Sequence, residues 1–284
     1  MIPPRSVFFG TEGRMTWIKA PAINVGMSKG KWTSSGVMLN GGAYELSSNY
    51  AHRKFDFAWN LMSPEEVRKI TRYFDGVYGE GLLYYLDPFA MNSNVLPLSW
   101  SVPRLAADDA PPLVLDQVPT LSAVVPNSND LPVQAATYTL SASSVFDSVF
   151  IPVPDGEGLN IGVVGSRTGT AAVTFTPKTG SAVSPTLTGI GSTNLITNYM
   201  TNTGGGVTVS LSGTGTITLV GMQARVSSVS ELIVPYTDGF VAGEGHSGLR
   251  LSGVANISGY SAPSALNLQS ISATLTEVGA WEPQ

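Results

Sequence analysis

The chain has 284 residues, of which 43% are hydrophobic and only 12% charged, with 31 Gly, 19 Pro and no Cys. The missing cysteines exclude disulfides and thiolate metal sites, so stability has to come from burial or association. Surface helices are built from Glu, Lys and Arg, so this composition favours short strands and many turns in a mainly β chain long enough for two domains.

The net charge of −5 argues against a nucleic-acid binder. Its distribution is uneven. Residues 1–104 hold eleven Lys or Arg against eight Asp or Glu, whereas residues 105–284 hold four against twelve, which implies two regions with different surfaces. The start, MIPPRSVFFG, lacks an apolar run followed by small residues, and no stretch approaches the ~20 apolar residues of a membrane span. Neither a signal nor a transmembrane helix is expected, and folding in a reducing cytosol is.

In chain order, Met15–Ile18 and Ala43–Leu46 are short strand candidates, and Asn40-Gly41-Gly42 is a turn signal because glycine reaches positive φ without strain. Lys19, Lys29 and Lys31 near Trp32 read as solvated loop residues or part of a protein interface before they read as a nucleic-acid patch. From Arg53 to Trp59, Phe55, Phe57 and Trp59 alternate with Lys54, Asp56 and Ala58, the period of a half-buried strand. Ser63-Pro64-Glu65-Glu66 then offers a cap, a proline for the first helical position and a capping-box acid. A helix is predicted from Pro64, its apolar stripe Val67, Ile70 and Phe74, ending at Asp75-Gly76. Gly81–Leu86 reads as a buried strand stopped at Asp87-Pro88.

After Pro88 regularity is lost, and the acidic, proline-paired stretch within residues 105–112 reads as a linker. Residues 113–235 are rich in Thr, Ser, Val and Gly. Val207–Leu211 and Thr214–Val220 alternate apolar with hydroxyl residues around Gly213 and Gly215, which predicts a sandwich or jelly roll. Near the end, LNLQSISATLTEVGAW predicts a long strand. Four tryptophans (Trp17, Trp32, Trp59, Trp100) lie in the first region and the fifth, Trp281, near the end. The expectation is that residues 236–284 return to complete the domain of residues 1–104, with the sandwich of residues 113–235 inserted between.

No motif carries chemistry. Gly243-Glu244-Gly245-His246-Ser247-Gly248 spells a dinucleotide loop, but LRLSG follows where a helix should start. His52 and His246 are the two histidines, read as a strand-entry and a loop residue, and no serine sits in a GxSxG turn. Asp108, Asp109, Asp155 and Glu157 are explained by turn chemistry rather than by acid–base or calcium work. No catalytic residue, metal site or cofactor is predicted. A glycan-binding face would have to use Tyr138, Tyr199, Gln223 and Arg225, for which core or rim packing is the plainer role.

The stretch FDFAWNLMSPEEVRKITRYFDGVYGEGLLYYLDPFAMNSNVLP, with TLTEVGAW near the end, resembles the distal-tail-type minor tail proteins of long-tailed phages infecting actinobacteria. The likeness is clearest over residues 44–104 and 266–282; the middle resembles a carbohydrate-binding-module-like or galectin-like sandwich, through GTITLVGMQARV. The resemblance implies a mainly β chain: an N-terminal β-sandwich or split-barrel-like domain with one helix, plus a galectin-like or jelly-roll sandwich. It further implies a non-enzymatic virion protein, assembled in the host cytoplasm and placed at the tail tip as a ring of six copies. Its partners would be itself, the tail tube protein, the tape measure and the baseplate hub, with no nucleic acid and no membrane. Two other functions are weighed: adsorption to host cell-wall polysaccharide through the sandwich, and a tail-associated wall hydrolase.

Overall fold

A computed structural model describes residues 6–22, 26–37, 43–104, 113–122, 125–126, 132–187, 198–231, 248–253, 255–260 and 268–278, with 189, 243, 245 and 246. The molecule is mainly β, with three helices, several antiparallel sheets and no closed barrel among these residues. None of the helices is long and apolar enough to cross a membrane.

The first half supplies β1 (Ser6–Thr11), β2 (Arg14–Lys19), β3 (Gly26–Val37), β4 (Ala43–Met62), α1 (Pro64–Phe74), β5 (Leu83–Leu86), α2 (Pro88–Asn92) and α3 (Leu98–Ser101). The middle supplies β6 (Thr120–Leu121), β7 (Val125–Pro126), β8 (Pro132–Val133), β9 (Ala136–Leu140), β10 (Ser148–Pro152), β11 (Gly158–Arg167), β12 (Ala172–Pro177), β13 (Asn198–Met200), β14 (Gly206–Ser212) and β15 (Gly215–Ser227). The last part adds β16 (Leu249–Leu251), β17 (Asn256–Tyr260) and β18 (Leu268–Glu277).

The largest sheet runs β2-β1-β5-β16-β18-β4-β3, with β17 on β18. Thus β18 lies between strands from opposite ends of the chain. Its register sets Ile271, Ala273 and Leu275 opposite Trp59, Phe57 and Phe55. All six are buried. The sheet curls until β2 returns towards β4: the Ala22 amide donates to the Ala58 carbonyl at 2.7 Å, and Trp59 Nε1 to the Lys19 carbonyl at 3.0 Å. Inside the curl Phe57 stacks on Trp59 at 5.4 Å, with Val7, Phe9 and Ile18 completing the core.

Helix α1 rests against this core. Ser63 Oγ accepts the Glu66 amide at 3.3 Å while the Glu66 carboxylate takes the Ser63 amide at 3.2 Å, a closed capping box. At the other end Val77 donates to the Arg72 carbonyl and Gly76 to that of Tyr73, with Gly76 at φ 68°, a Schellman stop. The buried stripe is Val67, Ile70 and Tyr73, and Phe74 is half-buried instead. Tyr73 meets Phe9 edge-on at 5.4 Å and donates its phenol to the Arg14 carbonyl at 2.6 Å. Burial of the three contributes about 1.5–3 kcal/mol each.

Three local expectations change. Ala43–Leu46 and Arg53–Trp59 are parts of one strand, β4, so His52 lies mid-strand rather than at an entry. The stretch after Pro88, expected to be irregular, forms two short helices, because Asp87 Oδ1 accepts the Ala90 amide at 2.7 Å and Pro88 needs no donor at the first helical position. Residues 105–112, Asn40-Gly41-Gly42 and Trp281 lie outside the described residues.

The middle of the chain is a β-sandwich. A three-stranded sheet, β10-β14-β12, faces a five-stranded one, β13-β11-β15-β9-β6, while β7 and β8 pair separately. Val207, Val209 and Leu211 on β14 and Val173 and Phe175 on β12 point inward. The core continues through Met91, Val95, Leu96 and Trp100 to Phe8 and Leu86 on the outer side of the large sheet. Residues 88–101 therefore form a packed bridge between the two bodies.

Candidate functional site

Three features of this architecture are able to serve a partner or ligand. The first is a ribbon. β18 pairs with β4 from Lys54 to Met62, whereas β3 follows β4 back to Ala43. Beyond Lys54 the two strands run as a two-stranded ribbon about 35 Å long at ~3.3 Å per residue. β3 is also the last strand of its sheet, and among the described residues no strand pairs with the other flank of β4 between Ala43 and Ala51. Ser28, Ser35, Val37, Ala43 and Glu45 are exposed along it.

The second is the bridge. β9 accompanies β15 only as far as Leu219. Past that point Asn94 takes its place: Oδ1 accepts the Ala224 amide, Nδ2 donates to the Met222 carbonyl, and the Val95 amide donates to the Ala224 carbonyl. Gln223 Nε2 and Arg225 Nε both donate to the Ser93 carbonyl, at 3.0 and 3.2 Å. Trp100 Nε1 donates to Asp147 Oδ2 at 3.1 Å. Burial raises Asp147 to about 6, against the lowering effect of its bonds from Trp100 and the Ser148 amide.

The bridge's other flank is the glycine-rich loop. A Cβ on Gly243 would come within 1.9 Å of the Leu96 carbonyl oxygen, and one on Gly245 within 1.8 Å of that of Val95. Gly245 donates to Leu96 and Gly243 to Ser101 Oγ. These glycines serve backbone contact, not a pyrophosphate.

Beside them His246, expected as a loop residue, is buried. Its Nε2 lies 2.8 Å from the Tyr85 carbonyl. The Tyr85 amide lies 3.2 Å from the same nitrogen; of the two roles open to Nε2, donation to the closer carbonyl leaves Nδ1 a buried lone pair rather than an unpaired N–H, and we assign that tautomer. Burial, then Arg53, pull its pKa to about 4 against Glu277 and the Tyr85 bond. Arg53 itself binds Glu277 through Nε at 3.0 Å and a terminal nitrogen at 2.8 Å, and also donates to the Gly245 carbonyl.

The third feature is a polar cleft of about 420 Å³ at one end of the sandwich, lined among others by Asp155, Glu157, Thr179, Tyr199, Asn202 and Ser228. Of the four residues considered for glycan binding, Tyr199 alone lines it. Tyr138 is fully buried with its phenol near the Leu113 amide, and Gln223 is buried under the bridge. Neither has surface to offer a sugar, and Arg225 faces Ser93. Core or rim packing is the plainer expectation for Tyr138, and the structure sets it inward with Ala136 and Leu140; nothing local signalled Asn94 or the cleft. Among the described residues no group of three or more His, Asp or Glu is arranged to hold a metal.

No protein family, curated protein or solved structure matches the chain.

Proposed function

We propose that the chain is a structural component of a phage tail tip, forming a ring that joins the tail tube to the baseplate hub and carries the sandwich on its outside. The resemblance of residues 44–104 to distal-tail-type proteins supplies the class, six copies, and the tube, tape measure and hub as neighbours. The observation that carries it is the β3–β4 ribbon. A two-stranded ribbon is marginal in water, and an open flank is a template for another strand. A second copy's sheet edge is the partner of matching chemistry, and one head-to-tail contact repeated around a rotation closes a ring. The work is geometric and requires no chemical step.

Mass measurement and negative-stain imaging of the purified protein should give a closed ring with an axial channel. Replacing residues 31–48 by a short turn should give monomers with an intact sandwich. A wild-type chain that stays monomeric at every concentration and makes no self-contact in virions would sink the proposal. A second reading, adhesion to host cell-wall polysaccharide, is favoured by the cleft beside Tyr199.

A further inference from the structure

The cleft is built rather than incidental. Tyr199 lies over the backbone of β11 at Gly158, where a Cβ would come within 2.6 Å of the ring. Its phenol is tied to the Ser227 carbonyl at 3.2 Å. The ring is thus fixed in place, half-exposed, on one wall. The opposite loop is held as firmly: Thr179 Oγ1 donates to the Asn202 carbonyl at 2.8 Å and the Lys178 amide to that of Thr203 at 3.0 Å. Asn202 and Gly204 sit in the left-handed region at φ 55° and 66°. A Cβ on Gly204 would come within 2.7 Å of Thr179. A volume of about 420 Å³ falls in the ~300–1,000 Å³ range of ligand pockets, and a pre-formed site loses little entropy on binding.

The lining is polar and one-signed. Asp155 and Glu157 contribute carboxylates, Thr179, Thr201, Thr203 and Ser228 hydroxyls, and no Lys or Arg is among the described residues that line it. Lys178, adjacent in the chain, turns its ammonium to Glu12 at 3.0 Å. Burial, then Glu157 and Glu231, hold the Tyr199 phenol above its ordinary range. An aromatic face beside carboxylate and hydroxyl acceptors suits a polyhydroxylated ring. The same charges repel a polyanion.

We infer that this cleft binds an uncharged or amino-bearing oligosaccharide, stacked on Tyr199 with its hydroxyl or ammonium donors directed to Asp155 and Glu157, and rejects phosphate-bearing and uronic polymers. The inference rests on the adhesion reading and sharpens it to one site and one ligand charge.

The test is calorimetric titration of the full chain with glucosamine tetramer, N-acetylglucosamine tetramer, glucose tetramer and a glycerol-phosphate polymer. At least one of the first three should bind, and the polymer should not. Tyr199→Ala should weaken binding about tenfold, roughly the loss of one good contact. Asp155→Lys, at an exposed turn position that leaves the fold intact by circular dichroism, should weaken the amino sugar most and admit the phosphate polymer. Absence of binding to all three tetramers, equal binding of the polymer, or affinity unchanged in both variants would overturn the inference. The ring is read separately by mass, so a ring that binds no sugar removes the cleft and leaves the assembly proposal standing.

Discussion

Asn94 meets Ala224 as one strand meets the next, its Oδ1 accepting the amide at 3.1 Å while its Nδ2 reaches the Met222 carbonyl at 3.1 Å. A side chain thus finishes a ladder that β9 leaves incomplete. Asn94→Leu should strand the amides of Ala224 and Leu96 and the Met222 carbonyl, at about 1–3 kcal/mol for each that stays buried. Urea unfolding followed by tryptophan fluorescence should show the lower midpoint; an unchanged midpoint would mean that water replaces the side chain at no cost.

Gly245→Ala should be far worse than its size suggests. The added methyl would meet the Val95 carbonyl oxygen at 1.8 Å, and that atom is backbone that cannot rotate away. A loss above about 3 kcal/mol or insoluble expression is expected, beyond the ~1–3 kcal/mol typical of overpacking, because the clash is with backbone. Gly259→Ala, with nothing within 4 Å of the new atom, is the control and should be near neutral in thermal melts.

Asp147 and His246 should give opposite pH responses that mask one another. Asp147 is raised to about 6 by burial, so its contribution is fully present below the ordinary carboxylate range near 3.8 and is lost as pH rises through 6. His246 is lowered to about 4, so its contribution is present above 6.5 and is lost as pH falls through 4. Between these limits the wild-type midpoint should be nearly flat. Asp147→Asn keeps an acceptor for Trp100, should gain up to about 3 kcal/mol at pH 8, and should expose a stability that climbs with pH. His246→Phe should expose one that falls. Two variants giving parallel curves would refute the assignment.

Leu61 should be a site of easy gain. It sits at φ 53°, a conformation that costs an ordinary side chain about 1–2 kcal/mol, and its side chain is 57% exposed. Leu61→Gly should raise the urea midpoint by about 1 kcal/mol equivalent. A fall would show that the leucine is held by packing that outweighs the strain.

Helix α1 was legible because every signal that makes it is local: Ser63, Pro64 and Glu66 at one end, Asp75 and Gly76 at the other. Asp87-Pro88 carries the same start signal, but α2 is too short to show a period, so the pair reads as a stop. Alternation identifies the sandwich strands at Val207–Leu211 and Thr214–Val220. Gln223 is different: a bulge opposite Val164 and Gly165 changes the parity of β15, and the group that covers Gln223 is Ser93, distant in the chain. Of the cleft, Tyr199, Asp155 and Glu157 were visible singly but not as one site, because its walls are loops brought together by tertiary pairing.

The placement of β18 has a consequence for biosynthesis. In the ladder of the large sheet, β2-β1-β5 and β4-β3 are joined only through β16 and β18. Until translation has passed Glu277 those halves are not joined in one ladder, while every strand of the sandwich is already upstream and free to pair. A copy whose synthesis has not reached β18 therefore carries a paired sandwich beside an unfinished large sheet, and the last strand made is the one that locks the first ones in place.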